Sequence, residues 1–264
     1  MKRETPILRL ENSPLVFVVI QVKISPIFSL QNYLPQLQEE LRKNGYPRFQ
    51  RGITQQINFG PDFKPNVESN WRLEFYDREK TNSILLAPDS ITLQTNSYTV
   101  FEEFERALSH ALEILNNSVQ ISVVEGIGLR YVDWIRPSVG QKAESLLKEG
   151  LRGLNYESIG IQDPIHLSHF VGRTNLGQLM VRFYQQRGHY LPLDIGAIGL
   201  SYSQTIPPTE LASLLEFDHQ ANQSFDFDIK DISDVAWKLH APLDKAFRAS
   251  VTNEAMKLWG AKDA

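Results

Sequence analysis

The chain has 264 residues, of which 42% are hydrophobic, so it is long enough to bury the core of one large domain or two small ones. Its formal net charge of -4 gives no excess of lysine and arginine for a phosphate backbone, and we expect no nucleic-acid partner. The absence of cysteine excludes disulfides, thiolate metal sites and a cysteine nucleophile. The only apolar run near the N-terminus, residues 15–20, is too short for a signal-peptide core or a membrane span, which predicts a cytoplasmic protein without membrane contact.

The first half of the chain predicts a strand, a helix, four strands and a second helix. The run 15–25 is rich in Val and Ile and is closed by Pro26, which is typical of a buried strand. Leucines at helical spacing predict a helix over 30–43, ended by Gly45. Turn residues then separate four predicted strands, near 49–59, 71–79, 83–88 and 90–95.

The middle of the chain changes from a helical to a strand period within a few positions. Apolar side chains three and four apart predict a helix over 99–117. Thr99 and Glu102 form a capping box at its start, because each side chain can bond the other's backbone amide. Alternating side chains then predict a strand over 119–135.

The second half repeats this order of elements. In its first strand, Gly126 and Gly128 leave room for a helix or an aromatic ring close to the sheet, or else mark a bulge. A leucine stripe predicts a helix over 141–154, and a long helical segment over 233–259 is interrupted by a kink or break at Pro242. Between these helices, strands are predicted near 163–173, 177–187, 195–204 and 223–230.

The matching order predicts an α+β fold with an internal duplication, in which two strand-helix-four-strand-helix units form a curved antiparallel sheet packed by helices. We divide the chain into an N-terminal arm (1–13), a first α+β unit (14–117) and a second α+β unit (118–264), together one compact body. The order resembles that of the TATA-binding protein and of the helix-grip lipid and hormone carriers. No functional residue of either group carries over.

Some polar groups resemble sites but fit structural roles better. The acidic series 225–234, FDFDIKDISD, lacks the glycine and glutamate of an EF-hand loop, which favours a strand followed by a helix start. His166 and His169 are three apart in a predicted strand, so they point to opposite faces and form no metal pair. Residues 199–203, GLSYS, lack the closing glycine of a nucleophile elbow. We therefore expect no metal, no cofactor and no catalytic residue.

Arg130 is the most unusual polar residue, because it lies in a mostly apolar strand beside Tyr131 and Trp134. A guanidinium in such a place must be paired, stacked or solvated, since burying it alone is too costly. One interpretation is an internal ion pair and the other is a ligand-binding arginine. Arg182 poses the same question in the second half. The ligand-binding candidates are therefore Arg130, Tyr131, Trp134 and Arg182.

Short segments over nearly the whole chain form a recognisable set. They are SPLVFVVIQVKISP, WRLEFYD, SITLQTNSYTVFEEF, GLRYVDWI and FDFDIKD, followed by a helix with the pattern F-x-x-x-V-T. This set resembles a sporadically distributed prokaryotic family of about this length, to which no activity is assigned. The resemblance implies a bacterial or archaeal cytoplasmic protein and transfers no catalytic residue.

Two functions from different classes fit the sequence. The lack of a catalytic motif and the large sheet favour a non-enzymatic interaction protein, accessory or antitoxin-like, that binds a protein partner through its sheet or a strand edge. Its oligomeric state is open, and a homodimer fits. The alternative is a small-ligand carrier or enzyme with a pocket between the curved sheet and the C-terminal helix, anchored by Arg130 or Arg182.

Overall fold

The computed structural model describes residues 10–59, 65–154, 156–161, 165–188, 191–192, 195, 199–202 and 206–261. This part of the chain holds ten strands and four α-helices. The strands are β1 (Leu15–Ile24), β2 (Arg48–Phe59), β3 (Pro65–Tyr76), β4 (Asn82–Ala87), β5 (Ser90–Thr95), β6 (Val123–Trp134), β7 (Leu167–Arg173), β8 (Gly177–Arg187), β9 (Leu211–Ala221) and β10 (Phe225–Asp226). The helices are α1 (Leu34–Lys43), α2 (Phe101–Val119), α3 (Ile229–Ser250) and α4 (Asn253–Leu258).

The strands form one open sheet in the order β2-β3-β4-β5-β1-β6-β9-β8-β7, with the short β10 paired to β6. Every neighbouring pair is antiparallel. The predicted α+β fold with a curved antiparallel sheet packed by helices is confirmed. In each half the first strand lies at the centre of the sheet and the last long strand lies beside it. An internal duplication and the likeness to the TATA-binding protein stay predictions.

One face of the sheet carries the main hydrophobic core. Side chains such as Ile20, Leu129 and Phe217 are fully or almost fully buried there and belong to one cluster with Leu112 of α2 and Leu239 of α3. Burying a side chain of this size contributes roughly 1.5–3 kcal/mol. Because this cluster joins residues of both halves, the sheet and its helices share a continuous core. The division into units at residue 118 stays a prediction.

The other face of the sheet carries a smaller core. Phe17, Val132 and Trp134 are buried there beneath Leu200 and Ile206, which lie in the connection between β8 and β9. No helix among the described residues has both the length and the apolar character needed to cross a membrane.

The start of α2 differs from the prediction. The helix begins after Val100, whose φ of -141° is extended, and no side chain caps it. The Thr99 hydroxyl instead donates a hydrogen bond to the Glu103 carboxylate, so the predicted capping box between Thr99 and Glu102 is wrong. Val100 occupies the N-cap position of α2. Its apolar side chain cannot accept a hydrogen bond from the free amides of the first helical turn, and Thr99 lies one residue too early to do so.

Strand β6 contains a bulge at Glu125. Gly126 pairs with Lys23 while Val124 pairs with Ile24, so one extra residue is inserted on β6. The insertion turns Val124 toward the buried face and leaves Glu125 exposed. A Cβ at Gly126 would lie 2.9 Å from the carbonyl oxygen of Ala221. The space at this glycine is therefore filled by neighbouring backbone, not by a helix or an aromatic ring.

The predicted helix over 141–154 is wrong. The segment forms two short 3-10 turns, Ala143–Leu146 and Glu149–Leu151, and Leu147 between them makes a bridge to Val251. Gly153 adopts a φ of +70°, which a helix interior does not allow. Contacts to the end of α3 therefore override the helical pattern of leucines in this segment.

The later strands are only partly as predicted. β7 and β8 are present, but the predicted strand over 195–204 is absent at residues 195 and 199–202, and its remaining positions lie outside the described residues. The predicted strand over 223–230 shrinks to β10, and α3 already begins at Ile229. β9 is the strand that the pattern missed, because it is buried on both faces over most of its length and shows no alternation.

Helix α3 runs through Pro242, so of the predicted kink or break the break is wrong, and a kink stays a prediction. The helix ends instead at Ser250, and α4 starts after Thr252. Near the proline, the Leu239 carbonyl accepts a hydrogen bond from Nδ1 of the buried His219, at 3.0 Å. A side chain of β9 therefore bonds the helix backbone within the turn that the proline interrupts.

Candidate ligand-binding cavity

A cavity of about 540 Å³ lies between the helix-bearing face of the sheet and α3. Tyr131 and Asp133 of β6 and Phe217 of β9 form its floor, and α3 forms its roof with side chains from His240 to Phe247. The turn before α2 and the segment before β1 close its sides. A volume of this size suits a small organic molecule, since ligand sites commonly measure about 300–1,000 Å³.

Asp133 is the most informative residue in the cavity. It is 3% exposed, and no hydrogen bond or ion pair holds its carboxyl group among the residues that the structure describes. Burial raises the pKa of Asp133 to about 8. An unpaired carboxyl group is costly to bury, and such a group with a shifted pKa at a cavity wall is a candidate functional residue.

A second bulge lies beside the cavity, where the start of β1 pairs with the end of β6. Leu15 pairs with Asp133 and Phe17 pairs with Val132, so Val16 is the extra residue on β1. The bulge turns Leu15 toward the cavity, where it lies opposite Asp133. Bulges often re-aim side chains beside functional sites.

Tyr131 and His240 join the floor of the cavity to its roof. The Tyr131 hydroxyl lies 2.9 Å from Nδ1 of His240. The imidazole also stacks on Phe101, with ring centroids 4.2 Å apart. Burial lowers the pKa of His240 to about 4, although Asp244 and Glu102 act in the opposite direction. The ring is therefore neutral at neutral pH and adds no positive charge to the cavity.

The remaining polar groups of the cavity are carboxyl or hydroxyl groups. Glu11, Glu103 and Asp244 line it together with Tyr98. Asp244 also accepts a hydrogen bond from Nε of Arg248 at 3.0 Å. Burial raises the pKa of Tyr98, so its phenol stays protonated and can donate a hydrogen bond.

The four sequence-predicted ligand-binding candidates do not share one site. Tyr131 lines the cavity. Trp134 lies on the opposite face of the sheet, where the Arg136 guanidinium is 3.3 Å from its ring centroid. Arg130 and Arg182 also point to that opposite face.

Arg130 and Arg182 converge on one buried carboxylate. Both guanidinium groups contact Oε1 of Glu216, and the Arg182 Nη2 atom lies 2.6 Å from it. Glu216 is 1% exposed, while the two arginine side chains are 14% and 22% exposed. Of the two interpretations of Arg130, the geometry shows an internal ion pair, and a ligand-binding role for either arginine stays a prediction.

The acidic series has a structural role at its centre. The Asp228 carboxylate accepts hydrogen bonds from the amides of Lys230 and Asp231 and so caps α3. Within the described residues, no group of three or more His, Asp or Glu side chains has the arrangement to hold a metal ion. His166 lies over Gly153, and the Cβ that Gly153 lacks would be 2.6 Å from the ring.

Sequence reasoning missed Asp133 and His240 as cavity residues. Asp133 could have been singled out, because it is the one acidic residue in the otherwise apolar and aromatic run from Tyr131 to Ile135. His240 gives no such signal, since a lone histidine in a helix is common. Its place opposite Tyr131 depends on how α3 packs on the sheet, which one sequence does not specify.

The chain matches no protein-family model and no curated protein at a significant level. The resemblance to a sporadically distributed prokaryotic family therefore stays a prediction.

Proposed function

We propose that this protein binds a small molecule in the cavity between the sheet and α3. The observation that supports this proposal best is the unpartnered, 3% exposed Asp133 at the wall of a cavity of about 540 Å³. Burying a carboxyl group without a hydrogen bond costs on the order of 2 kcal/mol or more. A bound ligand that contacts the Asp133 carboxyl group offsets this cost. Without a ligand, an apolar residue at position 133 would be cheaper to bury.

The mixture of wall types supports the same proposal. Leu15, Leu243 and Phe247 supply apolar surface, while Tyr98 and Tyr131 supply hydroxyl groups at defined places. Binding sites for small molecules typically combine a mostly apolar wall with a few convergent polar groups. The arginines expected to anchor a ligand are not part of this cavity, and Asp133 takes that place in the proposal.

A fragment screen with a cavity-filling variant tests the proposal. Leu15→Trp places an indole in the cavity, and Leu154→Trp makes the same change at a side chain that is 81% exposed. We expect fragments that raise the melting temperature of the natural chain and of Leu154→Trp, but not of Leu15→Trp. Fragments that bind Leu15→Trp as well as the natural chain, or a screen without any binder, would contradict the proposal.

A second proposal is that a protein partner adds a strand to the β7 edge of the sheet. β7 is the last strand on its side, and Leu167 and Phe170 are 62% and 60% exposed there. The strand carries Arg173 and no acidic residue, which disfavours pairing with a second copy and favours an extended segment with acidic and apolar side chains.

Display of random extended peptides on the purified protein tests this second proposal. We expect selected peptides with alternating acidic and apolar residues, whose binding is lost in Phe170→Glu and kept in Leu154→Glu. Peptides that bind Phe170→Glu equally well, or a selection with no such pattern, would count against it.

A further inference from the structure

We infer that the ligand of the cavity is an organic cation, an ammonium group on an apolar or aromatic body, whose charge is held by Asp133. This inference rests on the proposed small-molecule site and adds the chemical class of its ligand. Three features of the described residues support it: the sign of the charges around the cavity, the aromatic walls and the position of the unpaired carboxyl group.

The ionisable side chains that line the cavity are acidic, apart from the neutral imidazole of His240. Carboxyl groups reach it from four separate elements: Glu11 before β1, Glu103 of α2, Asp133 of β6 and Asp244 of α3. No lysine or arginine is among the described residues that line it. Like charges inside one cavity oppose the binding of an anion and favour a cation.

Aromatic rings form several walls of the cavity. Tyr98 and Tyr131 meet edge to face with ring centroids 5.7 Å apart, and Phe217 meets Phe247 in the same way at 6.0 Å. All four rings line the cavity. The faces of aromatic rings attract cations, and aromatic cages are a common way to bind ammonium groups. The rings also provide apolar surface for the body of the ligand.

Asp133 lies on the floor of the cavity, where an ammonium group can replace the water that burial has removed. The other carboxyl groups have partners of their own or lie nearer to solvent: Asp244 bonds Arg248, and Glu103 accepts from Thr99. A cation beside Asp133 gives this carboxylate the counter-charge that no described residue supplies. Charge-assisted hydrogen bonds of this kind are about twice as strong as neutral ones.

Binding of a cation should also release the proton of the Asp133 carboxyl group to the solvent. The groups that face Asp133 are Glu11 before β1, Tyr98 and Glu103 at the start of α2, Tyr131 of β6, and His240 and Asp244 of α3. None of them carries a positive charge at neutral pH, and burial favours the protonated form of Asp133 in the unliganded protein. An arriving ammonium group favours the carboxylate, so the Asp133 proton leaves to the solvent as the ligand binds.

The test uses matched sets of ligands that differ only in charge. One set is tryptamine, tryptophol and indole-3-propionate, and two more sets carry phenyl and n-octyl groups in place of indole. Isothermal titration at pH 7 should give the amine an affinity at least about ten times that of the alcohol in one set or more, with the acid weakest. Titrations in buffers of different protonation enthalpy should show release of up to one proton for each amine bound.

Asp133→Asn removes the charge and keeps the shape, and Asp234→Asn makes the same change at an exposed position of α3. We expect Asp133→Asn to lose most of the preference for the amine and to release no proton, while Asp234→Asn behaves like the natural chain. The inference is overturned if no amine binds, if the alcohol or acid binds as tightly, or if Asp133→Asn keeps the preference for the amine. If fragments of other charge still bind the natural chain but not Leu15→Trp, the small-molecule site stands and only the cation is wrong.

Discussion

The hydroxyl of Tyr131 and Nδ1 of His240 lie 2.9 Å apart, so one hydrogen bond links the central strand β6 to the long helix α3. The bond lies at the wall of the cavity, between two residues that line it. It therefore sets the distance between α3 and β6 at the cavity. Burial lowers the pKa of His240 to about 4, so protonation of this ring in acid puts a charge into the packed site and makes the packing of α3 sensitive to pH.

We expect His240→Gln to reduce the loss of stability in acid. Burial lowers the pKa of His240 from 6.5 to about 4, so the unfolded chain takes up this proton first as the pH falls. The contribution of His240 to the free energy of unfolding is thus complete above pH 6.5 and declines as the pH falls toward 4. Between pH 7.5 and 5 this decline amounts to about 2 kcal/mol. Urea unfolding across this range should show a smaller slope for the variant.

The matched control for this experiment is His110→Gln, at a histidine that hydrogen-bonds Asn44 on the protein surface. It should leave the slope unchanged. A residual slope is expected in both variants because burial also lowers the pKa of His219. If His240→Gln keeps the slope of the natural chain, the imidazole is not buried in the way described.

We expect Asp133→Asn to stabilise the unliganded protein at alkaline pH. Burial raises the pKa of Asp133 from 3.8 to about 8, so the unfolded chain loses this proton first as the pH rises. The natural chain therefore loses stability relative to the variant between pH 4 and 8, by about 1.4 kcal/mol for each pH unit. Urea unfolding at pH 5 and pH 8 measures this change. A constant difference between the two proteins would contradict it, and Asp234→Asn should show no such trend.

We expect Glu216→Gln to destabilise the fold by about 3 kcal/mol, because two partly buried guanidinium groups would lose their common carboxylate. Denaturant unfolding measures the loss, and Glu210→Gln at an exposed position is the control. The triple change Arg130→Met, Glu216→Leu and Arg182→Met should restore much of the stability, since it removes the two guanidinium groups together with their common carboxylate. A loss below about 1 kcal/mol for Glu216→Gln would show that the ion pairs are dispensable.

The ion-pair cluster also shows what one sequence can and cannot predict. Arg130 was recognised as a residue that needs a partner, because its strand is apolar on both sides in sequence. Its partner Glu216 lies in β9, the strand that the alternation pattern missed. A strand that is buried on both faces looks like a helix or a loop in sequence, so the partner and the register of the central sheet stayed unknown.

We expect Gly177→Ala to cost about 2 kcal/mol or more. A Cβ at this position would lie 2.0 Å from the carbonyl oxygen of Gln220, which is backbone of the paired strand and cannot turn aside. Gly172→Ala in β7 is the control, because its Cβ would meet only the Phe170 ring at ordinary contact distance. Thermal unfolding of both variants measures the difference. Equal melting temperatures would show that β8 and β9 are not so close.

We expect Asp228→Ala to lower stability by about 1 kcal/mol, because the amides of Lys230 and Asp231 lose the carboxylate that caps α3. Asp226→Ala removes an exposed carboxylate two residues earlier and should change stability by less than about 0.5 kcal/mol. Denaturant unfolding compares the two. If both changes have the same effect, the acidic series acts through its total charge and not through the cap.

The sequence predicted the architecture better than the site. Helices α1 and α2 follow from their apolar stripes, and strands β1 to β8 follow from short runs of strand-forming residues between turn residues. The 3-10 turns around Leu147 and the central strand β9 cannot be predicted from local periodicity, because contacts with distant parts of the chain determine their conformation. The cavity belongs to this second class, since residues of β1, α2, β6, β9 and α3 meet there.

The pairing of β1 with β6 has a consequence for how the protein reaches its folded state. The hairpins β2–β3, β4–β5 and β7–β8 join strands that are neighbours in sequence, whereas Ile20 of β1 must find Leu129 of β6. Contacts between distant positions form slowly, so this central pairing should limit the folding rate. Leu15 and Asp133 face each other at the end of the same pairing. In refolding experiments, the proposed binding of a small molecule should therefore return with the slowest phase, after most of the strand signal has already recovered.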